Sequence, residues 1–170
     1  MIIAAPHLPR FAALVLGALL AMPLAAQTQG TGFSLGGMRH DSSAPIEVSA
    51  DRLSVDQASG ASVFSGNAVI GQGAMRLSAA LIRIEYVERN DDLRIERLLA
   101  EGGVTFVTAT EAAEAAAAEY HIEAGRIVMT GDVVLTQGRN VLSGDRLEVN
   151  LRSGEGTMEG RVRTIIFPGE

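Results

Sequence analysis

Apolar and polar residues alternate with a period of two along much of the chain, most clearly from Ile127 to Leu151. Short apolar runs are separated there by Thr130-Gly131-Asp132, by Gln137-Gly138-Arg139-Asn140 and by Ser143-Gly144-Asp145. Leu147, Val149 and Leu151 alternate with Arg146, Glu148 and Asn150, the pattern of a strand with one buried face. The stretch predicts a meander of strands joined by tight turns.

The same pattern recurs earlier. A gapless shift of 65 positions lays Thr130–Leu151 on Ser65–Tyr86, with Gly66, Val69, Gln72, Gly73, Leu77 and Ser78 identical to their counterparts. Ala50-Asp51-Arg52-Leu53-Ser54-Val55-Asp56 likewise matches Gly144-Asp145-Arg146-Leu147-Glu148-Val149-Asn150. Weaker echoes are Glu101-Gly102-Gly103-Val104 and Met158-Glu159-Gly160-Arg161-Val162. A repeated strand-turn unit buries its apolar face against its neighbours, so the chain is expected to be a stacked or rolled all-β structure.

In chain order, Ile46, Val48 and Ala50 open the folded part, with a bend at Asp51 before Leu53 and Val55. Ala68 and Ile70 share a face, Gly71-Gln72-Gly73 is read as a turn, and Ile82, Ile84 and Tyr86 alternate with Arg83 and Glu85. The polar run Glu88–Asp92 lacks the ligand spacing of a calcium loop and is read as a solvated hairpin tip. Thr110–Glu119, T-E-A-A-E-A-A-A-A-E, is the one place where propensity argues for helix, but it is too short to be stable alone. It is read as a loop feeding an alanine-lined strand, a helical turn being the alternative. Val162–Phe167 is expected as the last strand, closed by Pro168.

The chain's 170 residues suit one folded domain, and with 4% aromatics and no Trp its core must rest on Val, Ile, Leu and Ala. The net charge is −6 and all 14 basic residues are Arg, scattered among acids, which argues against nucleic acid as a partner. His7 and Arg10, the apolar run Phe11–Met22 and the small residues of Pro23-Leu24-Ala25-Ala26 read as an export signal cleaved near Ala26. The run is short of the ~20 apolar residues of a membrane span, though an uncleaved anchor is the competing reading. Residues 27–44, rich in Gly, Ser, Thr and Gln, are expected as a flexible arm, and 45–168 as the folded domain. With no Cys there is neither a disulfide nor a thiolate metal site.

The sequence offers little catalytic chemistry, and neither an enzyme nor a cofactor nor a metal site is expected. His40 falls in the arm and His121 on an outward parity; Gly71-Gln72-Gly73 lacks the third glycine and following helix of a dinucleotide loop. Asp51 and Asp145 resemble a catalytic pair, but their matching settings before Arg-Leu favour repeated turn residues. What remains is an apolar inner face, either a closed core or an open groove, with small inward residues such as Ala50, Ala68 and Ala79 leaving space for the latter.

Six motifs in order carry a resemblance: P-I-E-V-S-A-D-R-L from Pro45, F-S-G-N-A-V-I-G-Q-G from Phe64, A-E-G-G-V-T-F from Ala100, A-E-Y-H-I from Ala118, T-G-D-V-V-L-T-Q-G with S-G-D-R-L from Thr130, and R-V-R-T-I-I-F-P from Arg161. Together they resemble the OstA-like family over Pro45–Pro168. The resemblance implies a twisted antiparallel β-jellyroll, open at both ends, that binds lipopolysaccharide in the periplasm and shields its acyl chains in an apolar groove. It implies head-to-tail assembly with its own kind and with the OstA-like domains of an inner-membrane anchor and an outer-membrane assembly protein. Motif match puts lipid contact at Ile46, Val48, Phe106, Tyr120 and Ile122; Ile70 and Leu135 complete the set of lipid-binding candidates. A membrane-anchored partner of the same machinery and a purely structural β-stack with a closed core are the alternatives. The absence of Lys leaves no counterpart for lysine contacts to a lipid head group.

Overall fold

The computed structural model describes residues 31–34 and 44–168; the expected leader over 1–26, His40 and most of the expected arm lie outside them. The described residues form strands and no helix: β1 Thr31–Ser34, β2 Ile46–Ser49, β3 Arg52–Val55, β4 Ser62–Gln72, β5 Met75–Arg89, β6 Asp92–Val107, β7 Glu111–His121, β8 Arg126–Gln137, β9 Asn140–Asn150, β10 Glu155–Glu159 and β11 Arg163–Ile165. All belong to one antiparallel sheet. From β4 to β10 every strand pairs with the next in sequence, a meander as predicted. Of the turns read between Ile127 and Leu151, Gln137–Asn140 reverses the chain, whereas Thr130-Gly131-Asp132 and Ser143-Gly144-Asp145 lie inside β8 and β9, where the register shifts and the strands run on. The sheet does not close. Its path ends at β2 on one side and at β1 on the other, while β3 pairs with β4 and β11 with β9. Thr31–Ser34, within the stretch read as an arm, is thus a strand on the edge of β10.

The internal repeat is visible in the architecture. β4 and β8 are equivalent under the 65-position shift, as are the starts of β5 and β9, and the register breaks at Ser65/Ala68 in β4 and at Thr130/Val133 in β8. These breaks belong to a line of bulges crossing the whole sheet. Gly66-Asn67, Gly102-Gly103, Gly131-Asp132 and Gly160-Arg161, all with positive φ, alternate across it with Asp51, Ala80, Ala116 and Asp145. The two aspartates hold matching places: the Asp51 N–H donates to the Gly66 carbonyl at 2.8 Å, and the Asp145 N–H to the Gly160 carbonyl at 3.1 Å. A bulge bends its strand and sharpens the local twist, so a line of them folds the sheet along one crease.

Inward-facing residues are buried on strand after strand, yet no second layer exists among the described residues. The buried face is therefore covered by the same sheet, bent over along the crease. On one side of the crease Val48, Ile70, Leu77, Phe106, Ala113, Leu135 and Leu142 form a cross-strand row; on the other, Ile84, Leu98, Tyr120, Ile127 and Val149 form a second. Every member except half-buried Val48 is buried, and each large side chain withdrawn from water contributes about 1.5–3 kcal/mol.

Thr110–Glu119 departs from expectation: apart from Thr110 it is strand, the greater part of β7, and neither loop nor helix. Alanine's helix propensity amounts to a few tenths of a kcal/mol per residue and yields to pairing on both edges, with β6 and with β8. The alanines also fit the interior. Buried Ala113 lies in register between Phe106 and Leu135, both fully buried. The end of the chain is also shorter in strand than expected, because Gly160-Arg161 carries the last bulge and β11 is confined to Arg163–Ile165.

Candidate functional site

The seven candidate residues all face the interior. Val48, Ile70, Phe106 and Leu135 lie in the one cross-strand row; Ile46 lies one level further out, paired with Gln72; Tyr120 belongs to the row across the crease, and Ile122 follows just past the end of β7. Ile70, Phe106, Tyr120 and Leu135 are fully buried, whereas Ile46, Val48 and Ile122 are half-buried and pack against the core from its margins. The fold thus unites residues scattered from position 46 to 135 along one face. Ala68 and Ala79, expected to leave space, are buried within the packed core.

Two interior residues escaped the sequence reading. Gln72 and Glu111 are the buried polar and charged residues among those described. Gln72 was hidden by its place in Gly71-Gln72-Gly73, a motif of turn composition, although the alternation Ala68, Ile70, Gln72 already carried its inward parity. The Tyr120 hydroxyl donates to Gln72 Oε1 at 3.1 Å, and Gln72 Nε2 donates to the Ala44 carbonyl at 2.9 Å. Burial pushes the Tyr120 hydroxyl above its ordinary pKa, with Arg152 pulling weakly the other way, so it stays a protonated donor at neutral pH. Glu111 serves the β6–β7 turn: its Oε2 accepts from the Thr108 and Thr110 hydroxyls, both at 2.6 Å.

The outer face is charged and paired with itself. Arg97 bridges Glu85 at 2.5 Å and Glu119 at 3.1 Å, and the two carboxylates hold its guanidinium above the usual range. His121 Nε2 lies 3.1 Å from Glu119, as its outward parity implied. Arg146 and Arg126 both reach Glu148, whose carboxyl is held below the ordinary range chiefly by its hydrogen bond with Arg146. Asp145 borders an outer cleft of about 370 Å³ with Asp132, Ser143, Arg161 and Arg163, but its carboxylate is taken by Arg161 at 2.7 Å. Asp51 is likewise engaged, by the Asn67 amide at 2.9 Å. Both aspartates thus anchor bulges of the crease, a structural role as expected, although Asp145 lies within β9 and not in a turn. No group of three or more His, Cys, Asp or Glu among the described residues has the arrangement of a metal site.

The described residues thus form an open antiparallel sheet with an apolar interior, a charged exterior and edge strands at either end. The family model described as LptA/(LptD N-terminal domain) LPS transport protein matches residues 47–155, and the chain belongs to that family. The OstA-like resemblance read from the sequence is therefore correct. An uncharacterized protein of Rhizobium meliloti (strain 1021) is 26% identical over 153 residues, covering 85% of this chain and 82% of that protein. Among solved structures, LptH of Pseudomonas aeruginosa, described as the LptA-homologous periplasmic component of the lipopolysaccharide transport device, matches with a TM-score of 0.67 at 18% identity, covering 76% of this chain and 99% of that one. The likeness to LptH is one of fold.

Proposed function

We propose that this chain is a periplasmic carrier of lipopolysaccharide that bridges the inner-membrane and outer-membrane parts of the export machinery, holding the acyl chains inside its bent sheet. The observation that carries this reading is the interior. A continuous apolar face runs from Ile46 and Val48 through Ile70, Phe106 and Leu135 to Tyr120 and Ile122, in a sheet that never closes on itself. Removing a hydrocarbon chain from water is worth about 0.8 kcal/mol per methylene, and exchange of ligand for the protein's own side chains needs no catalysis. The edges support assembly. β3 exposes Leu53 at 57% and Val55 at 60% beside an edge that is unpaired among the described residues, and β11, on the other side of the crease, exposes Ile165 at 58%. Exposed apolar edge strands are a liability unless another strand adds to them, so head-to-tail stacking with like domains is their proposed use.

A photo-crosslinker at Phe106 or Ile122 is expected to capture lipopolysaccharide in cells. Capture only from outer positions such as Arg83 sinks the proposal. The full packing of the interior favours one second reading, a structural β-stack with a closed core. Retention of a fluorescent fatty acid by the purified protein counts against that alternative.

A further inference from the structure

The edge of β10 is occupied by the chain itself. β1 and β2 are neighbours in sequence, yet they hold opposite ends of the sheet path. β1 pairs with β10 over Thr31↔Met158, Gly32↔Thr157, Phe33↔Gly156 and Ser34↔Glu155, and half-buried Phe33 packs against the core. This strand is weakly held. It has four residues, one of them glycine, pairs on one side only among the described residues, and carries Phe33 as its one large apolar side chain. β10 is held more firmly, because all five of its residues pair with β9 and its Gly156 and Met158 are buried.

On the reading that like domains stack head to tail, we propose that β1 is a built-in cap: it covers the edge of β10 to which the β2 edge of a second copy adds, so assembly requires β1 to leave. A strand edge presents one row of N–H and C=O groups and takes one partner at a time, so the two strands compete for the same bonds. The incoming β2 matches β1 in length and brings two inward apolar residues, Ile46 and Val48, where β1 brings Phe33. The cap has the advantage of connection. Its local concentration is set by the chain that tethers it, whereas that of a second copy falls on dilution. β1 therefore keeps the dilute protein monomeric and gives way where copies are concentrated.

The test is sedimentation of the full chain over a concentration series, unmodified, as Phe33→Asp, and as the pair Gly32→Cys with Thr157→Cys. Aspartate at position 33 sets a charge against the core and releases β1. The cysteine pair locks it: the chain has no cysteine of its own, Gly32 and Thr157 face each other in register, and a Cβ at Gly32 meets nothing within 4 Å. Phe33→Asp is expected to associate at a concentration about tenfold lower than the unmodified protein, and the oxidised pair at one about tenfold higher, with reduction restoring the original value. Association of Phe33→Asp at the original concentration overturns the cap; association only at a higher one also does, since β1 then passes to the neighbour and holds the stack together. A disulfide that joins two chains, or that does not form, overturns it as well, because β1 is then not seated on its own β10. If Phe33→Asp loses its β-sheet circular dichroism, the locked pair decides alone, and an association unaltered by oxidation is the contrary result. A protein that stays monomeric in every form overturns the head-to-tail reading and this inference with it, whereas equal association of all forms leaves that reading standing and removes the cap.

Discussion

Gly131 shows how closely the crease is specified. Its φ is +84°, which side-chain-bearing residues adopt only at a cost, and a Cβ placed on it lies 2.7 Å from the Cβ of Ala116 on the neighbouring strand. Gly131→Ala is expected to destabilise the fold by about 1–3 kcal/mol, seen as a lower urea midpoint. Adding Ala116→Gly should recover the steric share and leave the backbone share; strict additivity of the two changes is the contrary result. The glycine was readable from the repeat, but the close partner was not, since Ala116 belongs to an alanine run with no register of its own. The charges around the crease carry a pH dependence. Asp145 and Glu148 both have pKa values depressed in the folded state, by hydrogen bonds with Arg161 and Arg146 respectively. A depressed carboxyl contributes stability that is present above its unfolded pKa and lost as pH falls through the folded one. Thermal midpoints should therefore drop on acidification below about pH 5, and Asp145→Asn with Glu148→Gln should flatten that drop. An unaltered slope in the double variant removes these pairs as its cause.

Among elements, β7 is one that the residues alone misjudged. Its alanines point two ways locally, toward helix by propensity and toward strand by continuity with Tyr120, and no local term decides. The decision comes from β6 and β8, which offer backbone partners on both edges and large neighbours, Phe106 and Leu135, on either side of Ala113. Ala113→Leu should consequently cost about 1–3 kcal/mol by overpacking against Phe106 and Leu135, although leucine is the larger apolar residue, and chemical denaturation measures it directly. A stabilised variant would mean that the interior holds spare volume at that level.

At the scale of the whole molecule, the proposed head-to-tail assembly rests on the edges of the open sheet. Leu53→Asp on β3 or Ile165→Arg on β11 puts a charge on an exposed edge and should shift concentration-dependent oligomers toward monomer in sedimentation, with the melting temperature little changed. Oligomers that persist in both variants would place the contact elsewhere. Leu53 and Ile165 sit in runs whose alternation reads as ordinary buried strand. That they are exposed follows from neither face of β3 or β11 being covered, a fact of the tertiary structure.

Period-two alternation, turn composition and the 65-position repeat determined that the chain is all-β, meandering and one-sided, because backbone alternation projects directly onto the two faces of a strand. The inward parity of Ile70, Phe106, Tyr120 and Leu135 was legible for the same reason. Which inward residues meet across the interior was not. Gln72 and Tyr120 are 48 positions apart, and their contact depends on how far the sheet bends along its crease. That bend is the sum of bulges on several strands, each with its own register shift, and only the paired strands together set its direction.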